Sequence, residues 1–411
     1  MQILKSRTPL SAKTAFIALS VLAFFFSAQV SLTIYIDSSF LKDTIERTPS
    51  MMALELWQDP EHLVGTIYTF ASLITLLALL YAPRILRRVG NYHWTLSVLI
   101  LHTLLLLGLA IFDSAWLIIP LFIVEAAMIS VLYFNIDVFL ERYSKDSETG
   151  TIRGLFLMIG SIAWLLPPVL AGKLIDSSGF SIVYLCGAAL MLPTIFIMMR
   201  YFSDFQDLTY DDAPLLLSKK DSAKNPDISH ILASNFFMHF FYAWMIIYTP
   251  MYLHNHLGYS FEEVGLMLTL ALSAFVIFPY PAGRIADKWL GEKELLVGGF
   301  LLMSVTSFLL PIIAESNGGF FALALVLFVG RTGASIVETM AETYFFKKID
   351  GHNAGLMGYF RRSRPVAFIA APILASLLLE FQVVEIEGLF AVLGALMIIA
   401  IYFPLQLTDT K

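Results

Sequence analysis

The sequence predicts an all-α polytopic membrane protein: twelve transmembrane helices in two pseudo-symmetric six-helix bundles. Three observations predict it. Of 411 residues, 58% are hydrophobic and only 14% charged, with a mean hydropathy of +0.76. A soluble chain of this size needs far more charge to cover its surface. The apolar residues fall in runs of about 20, enough to cross a roughly 30 Å hydrocarbon core as a helix. Finally, the second half of the chain repeats the first. Lipid satisfies no backbone hydrogen bonds, so each run must be a helix or part of a closed barrel. These runs lack the polar/apolar alternation of barrel strands.

In order, the spans are expected near 15–36, 63–83, 93–112, 116–139, 154–172 and 180–199, then 229–252, 262–282, 295–314, 319–342, 357–379 and 388–404. The first run follows Lys5, Arg7 and Lys13 and is too long for the apolar core of a signal peptide. Its small residues Ser27-Ala28 lie mid-run rather than at its end, so it is expected to be a retained helix. The single cysteine, Cys186, lies in an apolar run, which excludes a disulfide framework and a thiolate metal site. A polar stretch separates the sixth and seventh runs. It divides the chain into an N-terminal bundle (1–200), a cytoplasmic linker (201–228) and a C-terminal bundle (229–411).

Placing both termini and the even-to-odd loops on one side gathers 22 of the 26 lysines and arginines there. The positive-inside rule makes that side cytoplasmic. The expected location is the cell (inner) membrane, with both termini in the cytoplasm. The repeat is visible residue by residue. At an offset of 200, Val64, Gly65, Thr69, Ala71, Ala82, Arg84 and Ile85 recur as Val264, Gly265, Thr269, Ala271, Ala282, Arg284 and Ile285, and Arg88 becomes Lys288. At an offset of 204, Gly154, Phe156, Ala163, Pro168, Leu170 and Ala171 recur as Gly358, Phe360, Ala367, Pro372, Leu374 and Ala375. Parallel six-helix repeats belong to transporters whose site lies between the halves near the midplane.

The stretch "GRIADKWLGEK" (283–293) resembles the signature G-x-L-x-D-R-x-G-R-K of the major facilitator superfamily, with one residue extra before the second Gly. Gly283, Asp287, Lys288, Gly291 and Lys293 fill its roles. Its first copy, "PRILRRVGNY" (83–92), keeps Arg88 and Gly90 but has Pro83 for the first Gly and Arg87 for the Asp. The resemblance implies the twelve-helix fold of that superfamily and alternating access around a central cavity. It further implies that Asp287 latches the cytoplasmic side against the start of the fifth helix, near Arg153 and Gly154, an acid meeting a helix N-terminus. The first copy has lost its Asp, so Arg87 is expected to seek Glu342 instead. A loop that serves only to fix topology remains the plainer reading.

Ionisable groups inside spans are costly and therefore functional candidates. The fourth helix carries Glu125 in "LFIVEAAMI" and the tenth carries Arg331 in "LFVGRTGAS". Aligning the two Leu-Phe pairs sets Glu125 opposite Arg331 in the repeat. The fold implied by the resemblance then places them across the cavity. The pair reads as a structural ion pair, as a site for a charged substrate group, or as a proton exchanger, since burial and a nearby arginine move a carboxylate in opposite directions. Coupling or binding is preferred. Glu338 and Glu342 follow Arg331 on one helical face.

The seventh helix sets Asn235, His239 and Tyr242 on one stripe, either as packing hydrogen bonders or as a proton relay and ligand contact. Gln29 with Thr33 in the first helix and Trp164 in the fifth read first as packing and second as cavity groups. "HNH" (254–256) offers two histidines without a third ligand, so no metal is expected. "AWLLPPVLAG" (163–172) faintly resembles the G-P-x-x-x-G pattern of proton-driven exporters and tips the expected direction toward efflux.

The expectation is a secondary active transporter moving a small amphipathic molecule by alternating access with proton coupling. The alternative is a transporter-like sensor or accessory subunit that binds ligand without moving it. No nucleotide-binding loop, H-E-x-x-H or G-x-S-x-G motif occurs, so no enzyme and no cofactor are expected. The expected partners are the small-molecule substrate, protons and the lipid bilayer, without nucleic acid, and the chain is expected to act as a monomer.

Overall fold

Each apolar run folds as a helix because only that conformation pairs every backbone group within its own segment. In the computed structural model, residues 11–48, 50, 60–143, 156, 159–205, 207, 226–316, 318–348 and 354–408 are described. Among them the twelve spans are Lys13–Thr33, Pro60–Val89, Asn91–Ile111, Ala115–Leu140, Ile159–Ser178, Phe180–Tyr201, Pro226–His256, Phe261–Lys288, Glu292–Glu315, Gly319–Lys348, Arg362–Glu380 and Ile386–Leu405. No strand occurs among the described residues. Packing is mostly within each set of six. Two seams join the sets: the second span packs on the eleventh and the fifth on the eighth.

Several boundaries differ from expectation for identifiable reasons. The run expected to end at Ile36 breaks after Thr33, and a second helix, Asp37–Glu46, folds back within the outer connection. The seventh span starts at Pro226, inside the expected linker, because proline suits the first helical turn, where no N–H partner is needed. Its outer end loosens into a π-helical turn at Tyr252–His256. The eighth span breaks at Ser273 and Phe278, just before Pro279 and Pro281, which cannot continue the hydrogen-bond ladder.

The two basic connections are shorter than expected. Pro83–Val89 and Pro279–Lys288 are helical, so Gly283, Asp287 and Lys288 belong to a helix end, where cations meet the negative pole of the macrodipole. The turns themselves fall to Gly90 (φ 82°) and Gly291 (φ 102°), conformations that side chains with a Cβ rarely adopt. Gly90 has a second constraint. A Cβ there would lie 2.8 Å from Asp207 Oδ2, and Asp207 Oδ1 accepts from Asn91 N–H at 2.7 Å, capping the third span from the stretch after the sixth.

Candidate functional site

Helical spacing builds the C-terminal side of the site. Arg331 and Glu338 are seven residues apart on the tenth span, close to two turns, and share a face with Glu342 one turn further. Tyr242 on the seventh span meets that face. Its hydroxyl donates to Glu338 Oε2 at 3.1 Å, and its ring lies 5.7 Å from the Arg331 guanidinium, with Phe241 at 5.8 Å on the same cation. Arg331 sits near the middle of its span and is 3% exposed. It forms no ion pair within the described residues. Two ring faces offer a desolvated cation about 2 kcal/mol each, against an effective burial penalty of several kcal/mol per ion. The rings alone leave the cation short of compensation.

The N-terminal side is aromatic and hydroxylic. Tyr35 sits edge-on to Trp164 with centroids 6.3 Å apart, Ser31 Oγ donates to the Trp164 carbonyl at 2.9 Å, and the Ser27 and Tyr133 hydroxyls lie 3.3 Å apart. Tyr35 is near enough to Arg331 and Arg364 to feel both charges, and Glu338 feels the same two. The first, fifth, seventh, tenth and eleventh spans therefore converge on one central locus. His239 lies beside Tyr242, 5.9 Å between centroids, with Nδ1 unpartnered. Asn235 departs from the expected stripe. It is 2% exposed and donates to the Phe360 carbonyl at 3.0 Å and to Ser363 Oγ at 2.5 Å, which makes it a tie between the seventh and eleventh spans.

Glu125 does not face Arg331. It is 2% exposed, and its ionic neighbour is His102 of the third span, with Nδ1 at 3.7 Å from Oε1. The other ring nitrogen, Nε2, lies 2.8 Å from Gln29 Oε1, so Gln29 serves this cluster inside the N-terminal bundle rather than the central locus. Repeat alignment fixes the height of Glu125 but not its neighbour, because a residue beside it within its own bundle comes nearer than Arg331. Sequence reading passed over His102, one polar residue in a leucine-rich helix. Asp37, which caps no expected span, completes the group. It accepts from the Tyr184 hydroxyl at 2.7 Å and lies within electrostatic range of Glu125. Burial pushes the Asp37 carboxyl above the ordinary carboxylate range, with the Tyr184 hydrogen bond opposing.

At the ends opposite the Gly90 and Gly291 turns, the expected outer ends, the halves are bolted together by Glu61, Lys42 and neighbours that the sequence did not single out and by His256, which it read only against a metal site. Glu61 Oε1 receives Lys42 Nζ at 2.7 Å and His256 Nε2 at 2.8 Å. The next residue, His62, meets Glu380 at 3.3 Å. Lys173 pairs with Glu262 at 3.4 Å, and Asp176 accepts from the N–H groups of Phe261 and Glu262 at 3.2 and 2.8 Å, capping the eighth span from the opposite half. The backbones touch as well. A Cβ on Gly172 would lie 2.1 Å from the Phe261 carbonyl oxygen, and one on Gly265 would lie 2.3 Å from that of Pro168. His256 of the "HNH" stretch thus belongs to a salt bridge, while His254 Nδ1 lies 2.7 Å from the Tyr259 carbonyl.

At the end of the bundle that carries the Gly90 and Gly291 turns, Asp287 lies 3.6 Å from Lys347, which also holds Glu292 at 2.5 Å. Asp287 therefore engages the tenth span of its own half. Arg153 and Gly154, its expected partners, lie outside the described residues. Arg88 and Lys288 occupy matching exposed positions at the ends of the second and eighth spans.

Comparisons with known proteins agree with this geometry. The family model of the Major Facilitator Superfamily matches residues 14–253 and again 231–411. A Yersinia pestis protein named an uncharacterized MFS-type transporter is 22% identical over 338 residues, 80% of this chain and 82% of its own length. A Yersinia enterocolitica protein named likewise is 20% identical over 337 residues, with the same coverage. Among solved structures, an auto-inhibited POT family peptide transporter superposes with a TM-score of 0.74 at 10% identity, covering 97% of this chain and 98% of that one. The nucleoside transporter NupG superposes with a TM-score of 0.69 at 11% identity, covering 95% and 99%.

Proposed function

The chain belongs to the major facilitator superfamily, and on that premise we propose that it is a proton-coupled secondary active transporter of a small amphipathic molecule. In this reading the integral membrane transporter alternates between a form closed at its outer side and one closed at the other, and the bolted ends support the first. The proton-binding group is the His102–Glu125 pair. Gln29 Oε1 can only accept, so with this orientation Nε2 of His102 carries the hydrogen and Nδ1 of the neutral ring is bare. Glu125 faces that bare nitrogen. The two atoms, 3.7 Å apart, can share one exchangeable proton, held on Glu125 or on Nδ1; its release leaves the ionised carboxylate beside the neutral ring.

The observation that carries this reading is a membrane-embedded carboxylate whose ionic neighbour is a histidine rather than a permanent cation. The first span links it to the central locus: Gln29 touches His102, while Ser31 and Tyr35 border Trp164. Tyr35 lies in the turn that ends this helix, so substrate pressing on it acts on the segment whose Gln29 sets the His102 tautomer. Outward movement is the direction we assign, on the export-like Ala163, Pro167 and Pro168. The cytoplasmic orientation of both termini follows from the lysine and arginine bias.

The test is internal pH in proteoliposomes challenged with a panel of small molecules, with Glu125→Gln beside wild type. Substrate-evoked proton movement in wild type that is lost in the variant supports coupling at Glu125. Equal proton movement in both would return Glu125 to a structural role. Binding without tracer flux would identify a sensor instead.

A further inference from the structure

The central locus contains a cation with no ion-pair partner among the described residues. Arg331 is 3% exposed, lies at mid-span, and touches the ring faces of Phe241 and Tyr242. Among the described residues no carboxylate comes within ion-pair distance of it, and no carbonyl or hydroxyl accepts from its guanidinium. The nearest acid on its face, Glu338, is already engaged by the Tyr242 hydroxyl and also feels Arg364 of the eleventh span. Glu338 thus has a partner of its own, and the buried Arg331 charge is left without one among the described residues. Membrane proteins normally pair such charges. A planar guanidinium fork matches a carboxylate in bidentate geometry, which an ammonium does not.

The surroundings define the rest of the ligand. Tyr35 and Trp164 form an edge-on aromatic pair on the N-terminal side, and Tyr242 with Phe275 forms another on the C-terminal side, centroids 5.8 Å apart. The Tyr35 ring senses the Arg331 charge, so aromatic groups of both halves border the same cation. Such rings offer a flat, apolar body a better surface than a hydrated one.

Resting on the transporter reading above, we propose that the substrate class is amphipathic organic monoanions. Their carboxylate docks on Arg331, and their aromatic or alicyclic body lies between the ring pairs of Tyr35–Trp164 and Tyr242–Phe275. Arg331 carries one unpaired charge, so a monoanion neutralises it, while a dianion or a cation does not. The anion also explains how one ligand engages both bundles: its charge is held by the C-terminal half and its body meets the N-terminal half.

The test uses equilibrium binding to the purified full chain in detergent, read by Trp fluorescence and thermal shift. The probes are naphthoate, its neutral alcohol and its primary amine, which share one body. Naphthoate is expected to bind at least about tenfold more tightly than the other two. Arg331→Gln is expected to abolish that preference, and Arg331→Lys, which keeps the charge but not the fork, to weaken naphthoate several-fold while retaining it. Equal affinity for the three wild-type probes would overturn the proposal. So would absence of naphthoate binding at about 1 mM, or unchanged naphthoate binding in a folded Arg331→Gln. Should Arg331→Gln not fold, the wild-type probe series and Arg331→Lys still decide.

Binding in detergent needs neither flux nor a proton gradient, so the two readings fail separately. Arg331-dependent naphthoate binding without vesicle flux removes transport and keeps the anion site. Proton-coupled flux of neutral compounds only does the reverse.

Discussion

Glu61 and His256, 195 positions apart in the sequence, join the two halves at their outer ends through a 2.8 Å contact. Lys42, from the short helix after the first span, shares the same carboxylate oxygen. Glu61→Gln removes the charge that both cations seek. The groups are partly exposed, so the loss is modest, about 1–2 kcal/mol after solvent screening, or a roughly tenfold shift toward the open outer side. Pulsed EPR distances between labels on the outer ends of the second and eleventh spans should lengthen in the variant. An unchanged distribution would show that the backbone seams alone hold the closed form.

Gly172→Val should act on the same equilibrium by sterics. Its Cβ would occupy the space of the Phe261 carbonyl oxygen, 2.1 Å away, and backbone cannot yield as a flexible side chain does. The outer side is then expected to remain open and transport turnover to fall by at least about tenfold, an effect of 1.4 kcal/mol or more. The same EPR pair and a vesicle flux assay measure both.

Asp37 supplies a pH-dependent prediction. Its folded carboxyl ionises at higher pH than an ordinary carboxylate because burial disfavours the charge. The unfolded chain therefore loses this proton first as pH rises. Stability from this residue is fully present below the ordinary carboxylate range and declines as pH climbs through the raised value. Asp37→Asn does not titrate. Its apparent melting temperature relative to wild type should rise steadily from acid toward neutral pH, followed by differential scanning fluorimetry in detergent. A pH-independent difference would refute the burial argument.

Asn235→Leu separates packing from ligand contact. The variant loses two hydrogen bonds to the eleventh span, but Ser363 can still donate to the Phe360 carbonyl, so about 1–2 kcal/mol of stability should go. Naphthoate affinity should stay within about twofold, below 0.5 kcal/mol. A large loss of affinity with unchanged melting temperature would return Asn235 to the central locus.

Much of the architecture was legible because hydropathy, loop charge and the internal repeat each report a single physical constraint, that of the bilayer. The twelve spans, the helix-two to helix-eight correspondence and the intramembrane placement of Glu125 and Arg331 all follow from it. Pairing was not legible. Glu125 and Arg331 occupy equivalent places in the repeat, but a side chain selects its partner by lateral proximity, and the third span put His102 beside Glu125. The pairing of Lys42 and Glu61 with His256, a residue weighed only as a metal ligand, was hidden for a similar reason. Each is an unremarkable charged residue near a span end, and only folding the 37–46 segment into a helix brings them together. Asn235, His239 and Tyr242 share a stripe by helical period, but their separation along the span lets Asn235 face the eleventh span while Tyr242 faces the tenth.

The reciprocal seam of Gly172 on Phe261 and Gly265 on Pro168 has a kinetic consequence. Where side chains close a gap, each must give up rotamer freedom as the surfaces meet, a cost of up to about 2 kcal/mol for the longest of them. Here backbone meets backbone, and nothing has to be immobilised. Such a joint can part and re-form with little entropic friction, so the seam governs how readily the outer side shuts, while Glu61, His256 and Lys42 decide how long it stays shut. Speed and dwell time are thereby assigned to different residues and can be tuned by mutation one at a time.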